Sequence, residues 1–440
     1  MPSQFASLYP RHLQRLTDST DQALVAESFD SLFIHSGAPK LAFLDDHHGP
    51  YKASPHFLWW LPLTQSPHCY LLIQTGKKPV LFYHLTDDFW HVPPVAPSEF
   101  WCEHFDIHLC ADLAAVKQAL KAYPSSQQRR AWVGENTELG RDLGIENVNP
   151  QGLIHRLHFA RAVKSDYEIA CLRQANMIAL DGHAAAKAAF MAGKSEFETH
   201  LAYLAAVQQD QTEMPYRNII GFGGHSAVLH YQHYQYQAQN MSKAQSFLID
   251  AGAQCHGYAS DITRCHSRDS ELYQNLIDAM TAAQLLVCTQ VKPGTLFTDL
   301  HMRMHRLVLD MLVQFNLVNG SRDELESSHI SSAFFPHGLG HLLGLQVHDI
   351  GGWQQDEVGT MQSPPKQHPF LRCTRSLEKD MVVTIEPGLY VIDSLLQQWR
   401  DKGSGHLLNE AAIDQLRPLG GVRIEDNIVV AQVPVNLSAV

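Results

Sequence analysis

Four carboxylates occupy positions in this chain where charge is expensive. Asp250 closes the apolar run Ser246-Phe247-Leu248-Ile249-Asp250, and Asp261 lies in Tyr258-Ala259-Ser260-Asp261-Ile262-Thr263-Arg264. Glu386 closes Val382-Val383-Thr384-Ile385-Glu386 ahead of Pro387-Gly388, and Glu425 sits in Gly421-Val422-Arg423-Ile424-Glu425-Asp426-Asn427. A carboxylate buried in a strand without a partner is costly. Taken singly, each reads more readily as a strand-end residue capping a turn. Four in one half of the chain are harder to place that way. The stretch Ala251 to Gly257 holds turn residues, so a hairpin there returns Asp261 beside Asp250. Two carboxylates so placed repel unless a cation sits between them.

Histidines supply a second ligand type. His337 and His341 stand four apart in Phe334-Phe335-Pro336-His337-Gly338-Leu339-Gly340-His341, followed by His348 in Gln346-Val347-His348-Asp349. That spacing suits two zinc ligands on a helix, but Gly338 stands where such a motif carries its glutamate, and Gly340 follows. Two glycines disfavour a helix, so the zinc-helix reading is rejected. They allow close backbone approach instead. One histidine with four carboxylates is a hard, oxygen-dominated donor set that suits manganese, with cobalt, iron or zinc as other loadings. Five ligands exceed one mononuclear zinc but suit two divalent ions bridged by carboxylates, whose +4 balances the −4 of the ligands. Such ions lower the pKa of bound water and make a bridging hydroxide available as nucleophile near neutral pH.

The elements that must hold these residues divide into two sets. The first 150 or so residues read as α/β: a helical pattern from Tyr9 to Phe29, then strands at Ser31–His35, Cys69–Ile73, Pro79–Tyr83 and Trp132–Gly134, with a loop from His91 to Trp101. Neither Gly-x-Gly-x-x-Gly nor a phosphate loop occurs there. A boundary falls near Asn149 to Arg161, giving expected domains 1–158 and 159–440. Beyond it, Ser165 with Glu168 and Ser195 with Glu198 form capping boxes that start two helices. Two more helices span roughly Ser270 to Val291 and Thr298 to Asn316. Strands are expected at Phe247–Asp250, Tyr258–Thr263, Val382–Ile385 and Val422–Val430. The second domain is therefore α+β.

Composition narrows the function. Lys plus Arg is 33 against Asp plus Glu 45, a net charge of −12, which argues against non-specific nucleic-acid binding. No apolar run approaches the ~20 residues that span a bilayer, and no export signal is read at Met1 to Leu16. The eight cysteines form no Cys-x-x-Cys pair and read as reduced thiols of a cytoplasmic protein.

The order Asp250, Asp261, His341, Glu386-Pro387-Gly388 and Arg423-Ile424-Glu425-Asp426 resembles the pita-bread metallopeptidases of the M24 type. Ser165-Asp166-Tyr167-Glu168-Ile169 is similar to the opening of their catalytic domain. Within that family the likeness is to the prolidases, or Xaa-Pro dipeptidases, including the organophosphorus acid anhydrolases, and it covers essentially the whole chain. It implies a pita-bread catalytic domain behind a smaller creatinase-like α/β domain that dimerises and closes the site. It implies that Asp250 and Asp261 bind a first metal, that Asp261 and Glu425 bridge to a second, and that His341 and Glu386 complete the second. Glu386 would also shuttle the proton. His337 and His348 would flank the site, with His348 polarising the scissile carbonyl. His230 would bind substrate, Arg372 would receive its free carboxylate, and Arg423 would pair with substrate or orient the site. Tyr216 fits a pocket residue and equally a core tyrosine. The implied ions are two Mn2+, the substrate an Xaa-Pro dipeptide, and the assembly a homodimer in which Asp45-Asp46 and Trp59-Trp60 are loop candidates, the tryptophans reading equally as buried aromatics. Organophosphorus hydrolysis is the implied side activity. Cleavage of longer Xaa-Pro peptides, as by aminopeptidase P, is the alternative, and a metal-free binding module of the same fold would have lost ligands that are all present here. Of 27 histidines these readings use four. The rest, His47, His48, His225 and His301 among them, have no role at this stage.

Overall fold

The computed structural model describes residues 2–85, 89–90, 92, 95–123, 129–238 and 243–439. The chain divides into two compact units. One comprises Met1–Arg161 with Ser165–Cys171 and Asp356–Thr360; the other holds the remainder.

The first unit is built on a six-stranded mixed sheet. Its strands are β1 Ser31–His35, β2 Tyr70–Gln74, β3 Val80–His84, β4 Asp106–Cys110, β5 Arg130–Val133 and β6 Asn147–Val148, in the order β4-β3-β2-β1-β5-β6. The β1–β2 and β2–β3 pairs are antiparallel, whereas β3–β4, β1–β5 and β5–β6 are parallel. Phe33, Tyr70, Leu72, Phe82 and Trp132 fill one core of the unit. The expected helix is longer than its periodicity, Pro2–Ala26, and part of the expected loop from His91 lies outside the described residues. Trp59 and Trp60 are buried on a short helix, Pro55–Trp60, where the Trp59 carbonyl meets His12 Nε2 at 2.8 Å and the Trp60 carbonyl accepts from Tyr9. Of the two readings open for these tryptophans, the packed aromatic describes them.

Among the described residues the second unit carries four small antiparallel sheets, one of them a two-stranded hairpin. The first joins β7 Ile219–Phe222, β8 Ser246–Ala251 and β11 Ile262–Ser267 in the order β11-β8-β7. Two others pair β12 Val382–Ile385 with β15 Asp426–Val429, and β13 Gly388–Tyr390 with β14 Gly421–Arg423. The short β9 Gln254–Cys255 and β10 Tyr258–Ala259 form the hairpin between the two aspartates. β16 Val435–Asn436 flanks β15. A bridge between Thr263 and Glu425 ties the first sheet to the chain linking β14 to β15.

Helix starts are set by their caps. Ser165 and Glu168 exchange the two capping-box hydrogen bonds, at 2.8 and 3.3 Å, ahead of the helix Asp166–Met191. Ser195 and Glu198 do the same for Glu196–Val207. The helices Glu271–Cys288 and Phe297–Gln314 follow; Leu300, Met304, Val308 and Met311 recur at helical spacing on the buried face of the latter.

Candidate metal centre

Two expected strands are interrupted at a carboxylate. The strand read as Tyr258–Thr263 breaks at Ser260-Asp261, and that read as Val422–Val430 breaks at Ile424-Glu425. Each break has a cause in hydrogen bonding to a segment distant in sequence. The Asp261 N–H donates to Asn427 Oδ1 at 3.1 Å while Asn427 Nδ2 donates to the Asp261 carbonyl. The Glu425 N–H donates to the Thr263 carbonyl at 3.1 Å. Both carboxylates are held by the backbone that departs from the ladder.

The side chains converge. An oxygen from Asp261, an oxygen from Glu425 and a nitrogen from His341 lie within 4.8 Å of one another, and all three residues are buried. His341 Nε2 is 3.4 Å from Asp261 Oδ2 and 3.6 Å from Glu386 Oε1. His341 Nδ1 lies 2.9 Å from the Leu342 carbonyl, which only a ring N–H can satisfy, so the Nε2 lone pair faces the carboxylates. This is the orientation that a ligating histidine takes from its outer hydrogen bond. Glu425 Oε2 accepts from Thr263 Oγ1 at 2.7 Å, whereas the buried Glu425 Oε1 has no hydrogen-bond partner. An orphaned, buried oxygen on a carboxylate of this cluster is a position a cation would satisfy.

Asp250 sits one strand over, in register with Thr263. The Tyr216 hydroxyl lies 2.8 Å from Asp250 Oδ1 and 2.5 Å from Asp261 Oδ1 and is in contact with both. Tyr216 therefore holds the two aspartates together. Arg423 is buried and donates to Asp250 Oδ2 at 2.6 Å, to Thr263 Oγ1 at 3.1 Å and to the Tyr390 hydroxyl at 3.0 Å. Of the two roles open for Arg423 in the sequence, this geometry is that of an orienting residue. His337 is engaged on both nitrogens: Nδ1 lies 2.8 Å from the Gly338 carbonyl and Nε2 2.9 Å from the Tyr390 hydroxyl. The resulting chain runs from His337 through Tyr390 and Arg423 to Asp250.

Burial, then the neighbouring carboxylates, raise Asp261, Glu386 and Glu425 well above the ordinary carboxylate range. Burial lowers His341 to about 4, and His337 and His348 to about 3. The histidines are thus neutral and able to ligate or donate, while the carboxylates lack the positive charge that would keep all of them ionised. A hard divalent cation fits this donor set on both counts.

His348 packs edge-on to His341, with ring centroids 4.5 Å apart. His230 and Arg372 are exposed; both lie near enough to His348 to help lower it, as His230 does at His337 and Arg372 at His341. Thr263, Thr384, Tyr390 and Asn427 carry much of the positioning and were missed from sequence. Their signal was adjacency: Asn427 is two residues after Glu425, and Thr384 two before Glu386.

The glycines around His341 are explained by proximity. The segment Leu339–Leu342 runs against β12: the Glu386 N–H donates to the Leu339 carbonyl, and the His341 N–H to Thr384 Oγ1. A Cβ on Gly340 would lie 2.0 Å from the Thr384 carbonyl oxygen. Gly340→Ala should therefore force the two segments apart, lower stability by about 1–3 kcal/mol and displace His341. A thermal melt unchanged from wild type would contradict this account.

A buried constellation of carboxylates and one oriented histidine, at the junction of small antiparallel sheets, defines a metallohydrolase-type site. Comparison with known proteins agrees. The model of metallopeptidase family M24 matches residues 170–432, and that of the Xaa-Pro dipeptidase N-terminal domain matches residues 7–159. Relatives include the Xaa-Pro dipeptidases of Pseudoalteromonas atlantica, 46% identical over 97% of this chain and 96% of the relative, and of Shewanella oneidensis, 45% identical over 97% and 96%. Among solved structures, Escherichia coli aminopeptidase P with the inhibitor Pro-Leu aligns with a TM-score of 0.73 at 22% identity, covering 99% of this chain and 95% of the other. Proline aminopeptidase P II from Yersinia pestis aligns with a TM-score of 0.71 at 21% identity, covering 99% and 96%. The chain belongs to the Xaa-Pro dipeptidase family of M24 metallopeptidases. The expected architecture, a pita-bread domain preceded by a smaller α/β domain, stands. Among the described residues no helix is long and apolar enough to cross a membrane.

Proposed function

We propose that the protein hydrolyses Xaa-Pro dipeptides at a dimetal centre. The observation that carries this reading is the convergence of Asp261, Glu425 and His341 around the orphaned Glu425 oxygen, in a chain 46% identical to a curated Xaa-Pro dipeptidase. Asp250 and Asp261 would hold one ion, His341 and Glu386 the other, with Asp261 and Glu425 shared. Divalent cations bound there, Mn2+ by the hardness of the donors, would supply a water of lowered pKa and a Lewis acid for the carbonyl.

The protein's own groups supply the rest. Glu386 is a fifth exposed at its side chain, so it reaches both the buried cluster and the open side. Its raised affinity for a proton suits a group that takes one from the attacking water and returns it to the leaving proline nitrogen. His348, neutral and exposed beside His341, is placed to donate to the developing oxyanion. His337 acts through Tyr390 and Arg423 to fix Asp250. Tyr216 keeps Asp250 and Asp261 in register. His230 bounds the pocket, and Arg372 offers a bidentate fork to the substrate's free carboxylate. A bond to proline lacks an N–H, so recognition through both ends of a dipeptide replaces recognition of that N–H.

Charge-assisted hydrogen bonds contribute about 1.5–3 kcal/mol, so Arg372→Ala should raise KM for Leu-Pro roughly 10- to 100-fold. It should spare uncharged phosphorus substrates, whose hydrolysis by the same site is part of this proposal. Equal losses on both substrate classes would contradict the role of Arg372, and no fluoride release from a phosphorofluoridate under manganese loading would remove the side activity. Turnover of Xaa-Pro-Xaa tripeptides as fast as dipeptides would favour the aminopeptidase P alternative. The proposal extends to a cytoplasmic homodimer whose N-terminal domain, residues 1–158, closes the partner's site over a catalytic domain of residues 159–440. Size-exclusion chromatography with light scattering tests the dimer.

A further inference from the structure

A second cluster of metal-ligating side chains lies in the same unit, on the far side of Phe335 from His337. His301 and His305 are one turn apart on the buried face of the helix Phe297–Gln314, and His368 sits on a tight turn in which its N–H donates to the Pro365 carbonyl at 2.8 Å. One nitrogen from each of the three rings lies within 4.8 Å of the others. Ring centroids are 4.6 Å apart for His301 and His305, 4.5 Å for His301 and His368, and 4.3 Å for His305 and His368.

The rings are not held as ordinary core histidines. His301 is 1% exposed and His305 5%. Neither nitrogen of His301 has a hydrogen-bond partner, nor does His305 Nε2. Buried polar nitrogens without partners carry a desolvation cost that nothing in the protein offsets. His305 Nδ1 is instead fixed at 3.0 Å by Ser331 Oγ, the outer hydrogen bond that orients a ligating imidazole and leaves its other nitrogen facing the cluster. Phe335 packs against both helix histidines and gives the site an apolar wall. His368 is half-buried, leaving an approach from solvent.

The geometry points to a third metal site, formed by His301, His305 and His368, for a borderline ion of the Zn2+ class. Three imidazoles favour zinc, copper, nickel or cobalt over manganese or magnesium, the opposite preference to the carboxylate centre. Three histidines with a fourth position open to water is an established zinc geometry. All three rings are neutral at pH 7, burial lowering His301 to about 2 and His305 to about 3, so no proton must be displaced. A bound ion ties the 365–368 turn, four residues ahead of Arg372, to the helix. Occupancy therefore acts as a clamp on the segment that presents Arg372.

The test uses full-length protein in which the carboxylate centre is disabled by Asp261→Ala, with metal content measured after equilibration with Zn2+ and dialysis. One zinc per chain should remain. It should be lost, or bound at least tenfold more weakly, in Asp261→Ala/His368→Ala and in Asp261→Ala/His305→Gln. His368 lies on a turn, so its removal leaves the helix intact, and melting curves verify that each variant is folded. Zinc retention unchanged by both histidine substitutions, or no zinc retained by Asp261→Ala, would overturn the assignment.

Discussion

Asp261→Ala should abolish activity and Mn2+ retention together while leaving the metal-free protein at least as stable as wild type. The loss follows from position. Asp261 lies between the Asp250 side of the cluster, through Tyr216, and the His341 side, 3.4 Å from its Nε2. Losing one outer hydrogen bond of a metal ligand costs about 10- to 100-fold. Losing a ligand shared by two ions should cost on the order of 10³-fold or more by the same reasoning. The stability half follows from electrostatics. Without cations, Asp261 is a buried carboxylate pushed towards protonation by burial and by Asp250. Removing it relieves that repulsion, and Tyr216 retains Asp250 as acceptor. Metal analysis and melting curves in chelator check both halves. A variant that keeps full Mn2+ content, or whose metal-free melting temperature falls far below wild type, would contradict the shared-ligand assignment.

A second large effect is expected from the buried histidines. His183, His301 and His305 are at most 5% exposed, and burial lowers them to about 3, 2 and 3. Their unfolded-state value is near 6.5, so below that pH the unfolded chain binds more protons than the folded one. Stability is then fully present above pH 6.5 and falls as pH drops towards the folded values. Each group costs about 1.4 kcal/mol per pH unit in that window. Three such groups by pH 5 remove roughly 6 kcal/mol, comparable with the 5–15 kcal/mol that stabilises a typical domain. With Asp261, Glu386 and Glu425 kept ionised by bound cations, the melting temperature of the C-terminal unit should therefore fall steeply between pH 6.5 and 5; without cations their raised proton affinity opposes the fall. A melting temperature flat across that window would show that these rings are protonated in the folded state.

The site was legible in sequence where its chemistry conflicted with its surroundings. Carboxylates at the ends of apolar runs marked Asp250 and Glu386; Asp250 is the penultimate residue of its strand and Glu386 directly follows its strand. Capping signals set the helix starts at Ser165 and Ser195 because a serine and a glutamate three residues apart satisfy each other locally. What stayed hidden was long-range. Breaks at Asp261 and Glu425 depend on Asn427 and Thr263, whose bonds cross 166 and 162 residues. The roles of Tyr216 and Arg423 are set by partners 34 and 173 residues away. His301 carried no signal by itself, because His368 meets it only after the intervening chain has folded back. The 27 histidines pointed towards metal, but the site that they built alone is not the one that the carboxylates mark.

The central claim is that a divalent-metal centre built on Asp261, His341 and Glu425 cleaves Xaa-Pro dipeptides. The most direct measurement is Leu-Pro hydrolysis by protein stripped with chelator, then titrated with Mn2+. The account predicts no proline release from the stripped protein and activity rising to a plateau as manganese fills the carboxylate centre. Undiminished hydrolysis by the stripped protein, or no Leu-Pro cleavage at any manganese loading, would contradict it.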